Sequence, residues 1–241
     1  VAGPAAGFSF TKALLALLAV IYAAEVAAAG PATLMLGPST LDLIRLGAGI
    51  GAAWIPGEGA VGIALDQQWR LLTAMFLHAG LLHLAMNGYV LYVFGSIVEQ
   101  ELGRVRFLAA YLVTGLCSSV ASYAFGPYNA AGVGASGAIF GLVGAYIAYN
   151  WHRRDIALHA ARVSSALTFV LINAVISFTV PSIDWRAHFG GLAAGVVAGI
   201  AARGRGGSTK AAFIAGLAGL LGLAAILTAW RTAELRQILG A

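Results

Sequence analysis

Seven apolar runs, at roughly 12–29, 77–98, 105–125, 134–151, 165–181, 186–202 and 211–230, divide this chain. A helix that crosses the hydrocarbon core of a bilayer needs about 20 consecutive apolar residues, fewer where protein rather than lipid covers it. The fourth to sixth runs are short by that measure. With 60% hydrophobic and only 10% charged residues the chain lies far outside the range of water-soluble domains. It reads as an all-α polytopic membrane protein.

Charge sets the expected sidedness. A net charge of +5 would suit nucleic acid, but the Lys and Arg residues fall in short clusters between apolar runs, as the positive-inside rule requires, so no nucleic-acid partner is expected. With the N-terminus inside, Lys12, Arg104, Arg106, Arg153, Arg154, Arg162, Arg203, Arg205 and Lys210 are cytoplasmic. Arg45, Arg70, Arg186, Arg231 and Arg236 are outside. Nine against five favours N-terminus in and C-terminus out. The chain opens on Val1, so a preceding piece is expected, and the first run is too long and too poorly flanked for a cleaved signal peptide. Cys117 has no partner with which to form a disulfide. The connection from 31 to 75 is long, and its stretch LDLIRLGAGIGAAWI is amphipathic enough to lie in the membrane interface.

In this topology spans two, four and six all enter from the outer side. Polar residues near their N-terminal ends therefore share one depth, and polar residues in a span are costly unless partnered. Span two begins FLHAGLLHLAMNGY, with His78, His83 and Asn87; the last two, four apart, share a helical face. Span four begins GVGASGAIFG with Ser136, and span six begins DWRAHFGGLAAG with His188. Small residues run down both helices: Gly137, Gly141 and Gly144 in span four, and Gly191, Gly195 and Gly199 in span six. Such stripes let backbones approach closely in lipid. They are common in bundles for packing alone; here they accompany a Ser and a His at matching ends.

A serine hydroxyl becomes a nucleophile when a base within hydrogen-bond reach takes its proton. Ser136 and His188 can fill those roles. The developing oxyanion needs donors, for which the Ser136 backbone N–H, the Asn87 amide and the His83 imidazole are candidates. Asp184, four residues before His188, is a candidate to orient it, although an Asp just ahead of a helix is more often its N-cap. A zinc site would have to use His78, His83 and His188, with no carboxylate or thiol to complete it and Ser136 left unexplained. No cofactor or metal is expected. The Ser136 sequence is not the Gly-x-Ser-x-Gly elbow of soluble hydrolases. His152 and His159, beside Arg153, Arg154 and Asp155, read as exposed residues of a cytoplasmic connection.

In order along the chain, these motifs resemble the rhomboid intramembrane serine proteases. "WR" at Trp69 and Arg70 is similar to that family's first-loop signature, "HLAMN" to its His-x-x-x-Asn, "GASG" at Gly134 to Gly137 to its nucleophile motif, and "AHFGG" with Gly195 to its sixth-span motif. The resemblance implies a six-helix core over 1–203, including the 31–75 loop, followed by a linker and an extra C-terminal helix over 204–241. It implies that Ser136 is the nucleophile and His188 the base, and that His83, Asn87 and the Ser136 amide form the oxyanion hole. Phe140 stands where the family often has a Tyr stacked on the catalytic His. Arg70 would brace the first loop, Glu99 would be a buried acidic anchor, and His78 would be a scaffold or water-organising residue. The implied partners are substrates with transmembrane helices, within the lipid bilayer. The alternative is a catalytically inactive rhomboid-like binding or quality-control protein, against which the retention of Ser136 and His188 argues. A transporter would show inverted repeats or mid-membrane breaks, which the chain lacks. Abundant Ala, Gly and Arg with few Lys suit a GC-rich bacterial genome, so the expected location is a bacterial plasma membrane.

Overall fold

The computed structural model describes residues 8–203 and 209–240. The expected linker from 204, with Arg205, and the first seven residues lie outside the described residues. Helix α1 (Phe10–Ala29) starts at Ser9, whose hydroxyl caps it, and ends at Gly30. The first connection then folds as short elements: α2 (Thr33–Leu36), α3 (Thr40–Leu46), β1 (Ala53–Ile55), β2 (Gly59–Val61), a 3-10 turn at Ile63–Leu65, and α4 (Arg70–Thr73). A Ser39–Asp42 capping box opens α3. Strands β1 and β2 form an antiparallel hairpin with Trp54 opposite Ala60.

The long helices follow. Helix α5 (Leu81–Val90) continues through a π-helical turn, Leu91–Gly95, into α6 (Ser96–Leu102); α7 (Arg104–Phe125), α8 (Ser136–Asn150), α9 (Ala157–Thr179), α10 (Trp185–Arg203) and α11 (Thr209–Leu239) complete the chain. This is an all-α polytopic membrane fold. Among the described residues five helices are long and apolar enough to cross a membrane: α1, α5 with α6, α7, α9 and α11. The other two long helices, α8 and α10, pack on each other. At 15 residues α8 rises only about 22 Å, short of the roughly 30 Å of hydrocarbon, and it tolerates this because it is buried in protein along nearly its whole length.

Three boundaries differ from those expected from the sequence. The second span runs Leu81–Leu102 rather than 77–98, because Gly80 (φ 147°) and Gly103 (φ 81°) hold conformations that end a helix on either side. His78 therefore precedes the helix. The fifth span is not short: no Gly or Pro interrupts the chain from Ala157, so α9 runs 23 residues and takes in His159 and Arg162. The last helix continues past 230 to Leu239 for the same reason.

The helix that follows the core is no appendage. Leu235 is buried with Ile63, Leu71, Val120 and Tyr123, tying the last turns of α11 to the first loop and to α7. Polar bonds finish the seam: Arg236 Nε donates to the Ala64 carbonyl at 2.9 Å, and Arg231 Nη2 to the Gly126 carbonyl at 3.1 Å.

At the centre α7, α8 and α10 pack on one another. A Cβ added at Gly191 would fall on the Gly137 carbonyl oxygen, one at Gly195 on that of Gly141, and one at Gly199 on that of Ala145. The two helices therefore run parallel, in one register, with backbone against backbone. Gly137 and Gly141 turn their missing side chains the other way, toward Ser118 and Thr114 of α7. The expected pairing of glycine stripes is thus divided: Gly144 faces α10 at the Leu192 carbonyl, as expected, while Gly137 and Gly141 offer their carbonyls to α10 and their hydrogens to α7. Helix α7 runs antiparallel to α8 and continues from Ser118 to Phe125, so its end stands roughly 10 Å beyond the start of α8.

Two glycine substitutions separate this contact from general helix propensity. Gly195→Ala is expected to destabilise the protein by about 1–3 kcal/mol, because the neighbour is backbone and cannot yield. Gly219→Ala, in open space on α11, should be neutral or slightly stabilising. Thermal unfolding of both variants in detergent checks the contrast.

Candidate active site

The chain arrives at Ser136 by a guided route. Gly132 exchanges backbone hydrogen bonds with Gly49 of the first loop (3.0 and 2.8 Å), and the Gly134 N–H donates to the Ala74 carbonyl at 2.9 Å. Gly134 has φ 129°, and a Cβ there would lie 2.8 Å from His83 Cε1. Only glycine meets both demands. Ser136 then opens α8, where the first N–H groups have no partner within the helix.

His188, one turn into α10, turns Nε2 to the Ser136 hydroxyl at 2.9 Å. Its ring stacks on Phe140, with centroids 4.3 Å apart and planes within 9°. That face contact fixes the ring plane, and the missing phenol hydroxyl of a Tyr is not needed for it. His83 lies across the gap. The Ala79 N–H donates to His83 Nδ1 at 3.3 Å, so the neutral ring carries its proton on Nε2, the nitrogen beside Gly134. Asn87 gives one amide hydrogen to the His83 carbonyl at 3.0 Å and keeps the other. Ser136, His188, His83 and Asn87 all line one cavity of about 240 Å³.

The supporting residues sit further out. His78 is fully buried; Nδ1 donates to the Phe76 carbonyl, and its ring lies edge-on to His83 with centroids 5.2 Å apart. Its backbone N–H meets both carboxylate oxygens of Glu25, a buried acid of α1. Arg70 does not reach the cavity. It bonds Gln67 Oε1 and the carbonyls of Ile44 and Ala48 (2.6, 2.6 and 3.1 Å) and lies over the Trp69 ring. Burial holds its pKa below the ordinary arginine value, and these acceptors compensate for the lost water. Glu99 stands at the far end of the bundle, where it accepts four hydrogen bonds from Ser9, Phe10 and Thr11 and so caps α1.

Asp184 behaves as a cap: its carboxylate accepts from the Arg186 N–H at 2.9 Å and from the Ser122 hydroxyl, its carbonyl accepts from the His188 N–H at 3.3 Å, and the carboxylate is not bonded to the His188 ring. The partner of His188 Nδ1 is Ser177 Oγ on α9, at 2.8 Å. Sequence reading missed it, and with it Glu25, Ser118 and Ser122. All four lie on α1, α7 or α9, near C-terminal ends. A tally confined to the beginnings of spans does not see helices that reach the same end of the bundle from below. The signal was present, since Asn173 and Ser177 are an i, i+4 polar pair in an apolar run, as His83 and Asn87 are.

The profile of the Rhomboid domain matches residues 65–205, more than half of the chain. The protein belongs to the rhomboid family. The matched region runs from the first loop to the end of α10 and leaves α1 and α11 outside it. The chain is 41% identical over 139 residues to the rhomboid protease GluP of Bacillus subtilis, which covers 58% of this chain and 27% of that protein. It is 36% identical over 170 residues to RHOMBOID-like protein 6, mitochondrial, of Arabidopsis thaliana, covering 68% and 50%, and 38% identical over 168 residues to RHOMBOID-like protein 7 of the same plant, also covering 68% and 50%. The chain thus spans half or less of the length of these relatives. Within the rhomboid architecture Gly134 is a sensitive point. Gly134→Ala would push His83 off its position, and a displacement near 1 Å at a reacting centre costs about 100-fold in rate. With Ser136 taken as the nucleophile, its rate of labelling by a fluorophosphonate should fall on that scale, with far-UV circular dichroism unchanged.

Proposed function

We propose that this rhomboid is an intramembrane serine endopeptidase that hydrolyses peptide bonds in or beside transmembrane segments of other membrane proteins. The observation that carries the reading is the 2.9 Å contact between Ser136 Oγ and His188 Nε2 inside a cavity that also holds unspent donors. In the proposed reaction His188 Nε2 takes the Ser136 proton as Oγ attacks the carbonyl carbon of the substrate. Charge collects on the former carbonyl oxygen, and the Ser136 N–H, the His83 Nε2–H and the free amide hydrogen of Asn87 receive it. His188 then returns its proton to the departing amine, which leaves an ester on Ser136. Water, deprotonated by the same imidazole, attacks that ester and releases the second product.

A helical substrate keeps its carbonyls hydrogen-bonded, so the target segment must unwind locally before it can react. Small residues at the cleaved bond and helix-weakening residues beside it fit that demand and a cavity of this size. The catalytic unit is the core up to residue 203, with the segment after it supporting the first loop through α11. With the N-terminus cytoplasmic, in a bacterial plasma membrane, the cavity opens to the outer face and water reaches it from there. The named rhomboid protease among the relatives supports the reaction class.

Fluorophosphonate labelling, read with cleavage of a transmembrane reporter, tests the reading. The wild type should be labelled and active; Ser136→Ala and His188→Ala should lose both while keeping the unfolding temperature. Wild-type protein that takes no label would instead support a non-catalytic rhomboid. Asn87→Ala should slow cleavage about 10- to 1000-fold if its amide serves the oxyanion, and an unchanged rate would remove it from the hole.

A further inference from the structure

Catalysis by the proposed dyad needs one tautomer of His188. Nε2 must be bare in the resting state, or it cannot accept the Ser136 proton, and in a neutral imidazole the proton must then sit on Nδ1. In soluble triads a carboxylate at Nδ1 enforces this. Here the nearest carboxylate, Asp184, is bound to Ser122 and to the start of α10.

The group at Nδ1 is the Ser177 hydroxyl, and a hydroxyl can donate to a bare nitrogen as readily as accept from a protonated one. A second contact removes that ambiguity. Ser177 Oγ lies 2.6 Å from the Asn173 carbonyl oxygen, one turn back on α9. Two oxygens that close require a proton between them, and the carbonyl has none. The single Ser177 proton is therefore committed to Asn173, and toward His188 the hydroxyl can only accept. Ser177 is almost fully buried, as is His188, so water does not compete for either atom.

We propose that Ser177 is a positioning residue that sets the His188 tautomer, a neutral third member behind the dyad. The proposal rests on the dyad reading. Every donor in the row points the same way: Ser136 O–H to His188 Nε2, His188 Nδ1–H to Ser177 Oγ, Ser177 O–H to the Asn173 carbonyl. When His188 takes the Ser136 proton, no other proton in the row moves; the imidazolium keeps Nδ1–H on an oxygen whose lone pair already faces it, and Nε2–H becomes the acid for the leaving amine. The anchor is uncharged, which suits a site inside the membrane, where a buried carboxylate would itself need partners. The other titratable groups facing His188 are His83 on α5 and Asp184 at the head of α10; neither contacts Nδ1.

The test reads tautomer and reactivity separately. Nitrogen-15 NMR of histidine-labelled protein in micelles, with His188 assigned by difference from His188→Ala, should show the wild-type ring protonated on Nδ1 and bare on Nε2. Ser177→Ala should mix the tautomers and slow fluorophosphonate labelling of Ser136 about 10- to 100-fold, the range outer partners of an oriented histidine carry. Ser177→Thr, whose hydroxyl can make the same bond to the residue four back, should restore both. A wild-type His188 protonated on Nε2 overturns the proposal, as does Ser177→Ala with unchanged tautomer and rate. Loss of labelling in Ala and Thr variants alike, with the native tautomer in both, overturns it in favour of packing alone. Wild-type protein that is not labelled defeats the dyad reading, and the spectrum still decides the role of Ser177. If Ser177→Ala does not fold, the wild-type and Thr spectra carry the decision.

Discussion

Everything at the centre of this molecule depends on the contact of two backbones. Where α10 crosses α8, glycine at 191, 195 and 199 lets three carbonyl oxygens of α8 occupy space that any side chain would take. In lipid no hydrophobic force drives two helices together, so close packing of this kind is the source of their association. The same approach brings an imidazole on one helix to a hydroxyl on the other. Packing and chemistry are one arrangement here, and neither can be altered alone.

Around that contact three acids are spent on backbone N–H groups. Glu99 serves the start of α1, Asp184 the start of α10, and Glu25 the backbone beneath His78. The first loop, though made of short pieces, is held at three places: by Arg70 from within, by the Gly49–Gly132 pair from the side of the cavity, and by the last turns of α11 from outside. The loop thus carries the segment that delivers Ser136, and the C-terminal helix reaches the site through it.

Much of this is legible in the chain. Apolar length reveals the membrane helices, and alternate spans with Ser, His and Asn at their heads reveal the facing residues, because an unpartnered polar group in a membrane is rare enough to be informative. What stays hidden has physical reasons. Gly80 and Gly103 move a boundary by four residues because a positive φ is not written in hydropathy. Gly137 reads as a contact for span six, yet its open side meets Ser118, since a stripe on a helix does not say which neighbour it faces. Ser177 is a common residue near the end of an apolar run, and its significance exists only once α9 is laid beside His188.

The shortness of α8 carries a consequence for geometry. Because α7 overtops it by roughly two turns, the hydroxyl of Ser136 lies below the end of α7 by a distance that can be counted in residues. Residue number in one helix thus becomes a ruler. One added turn would raise Ser136 by about 5.4 Å toward the end of α7.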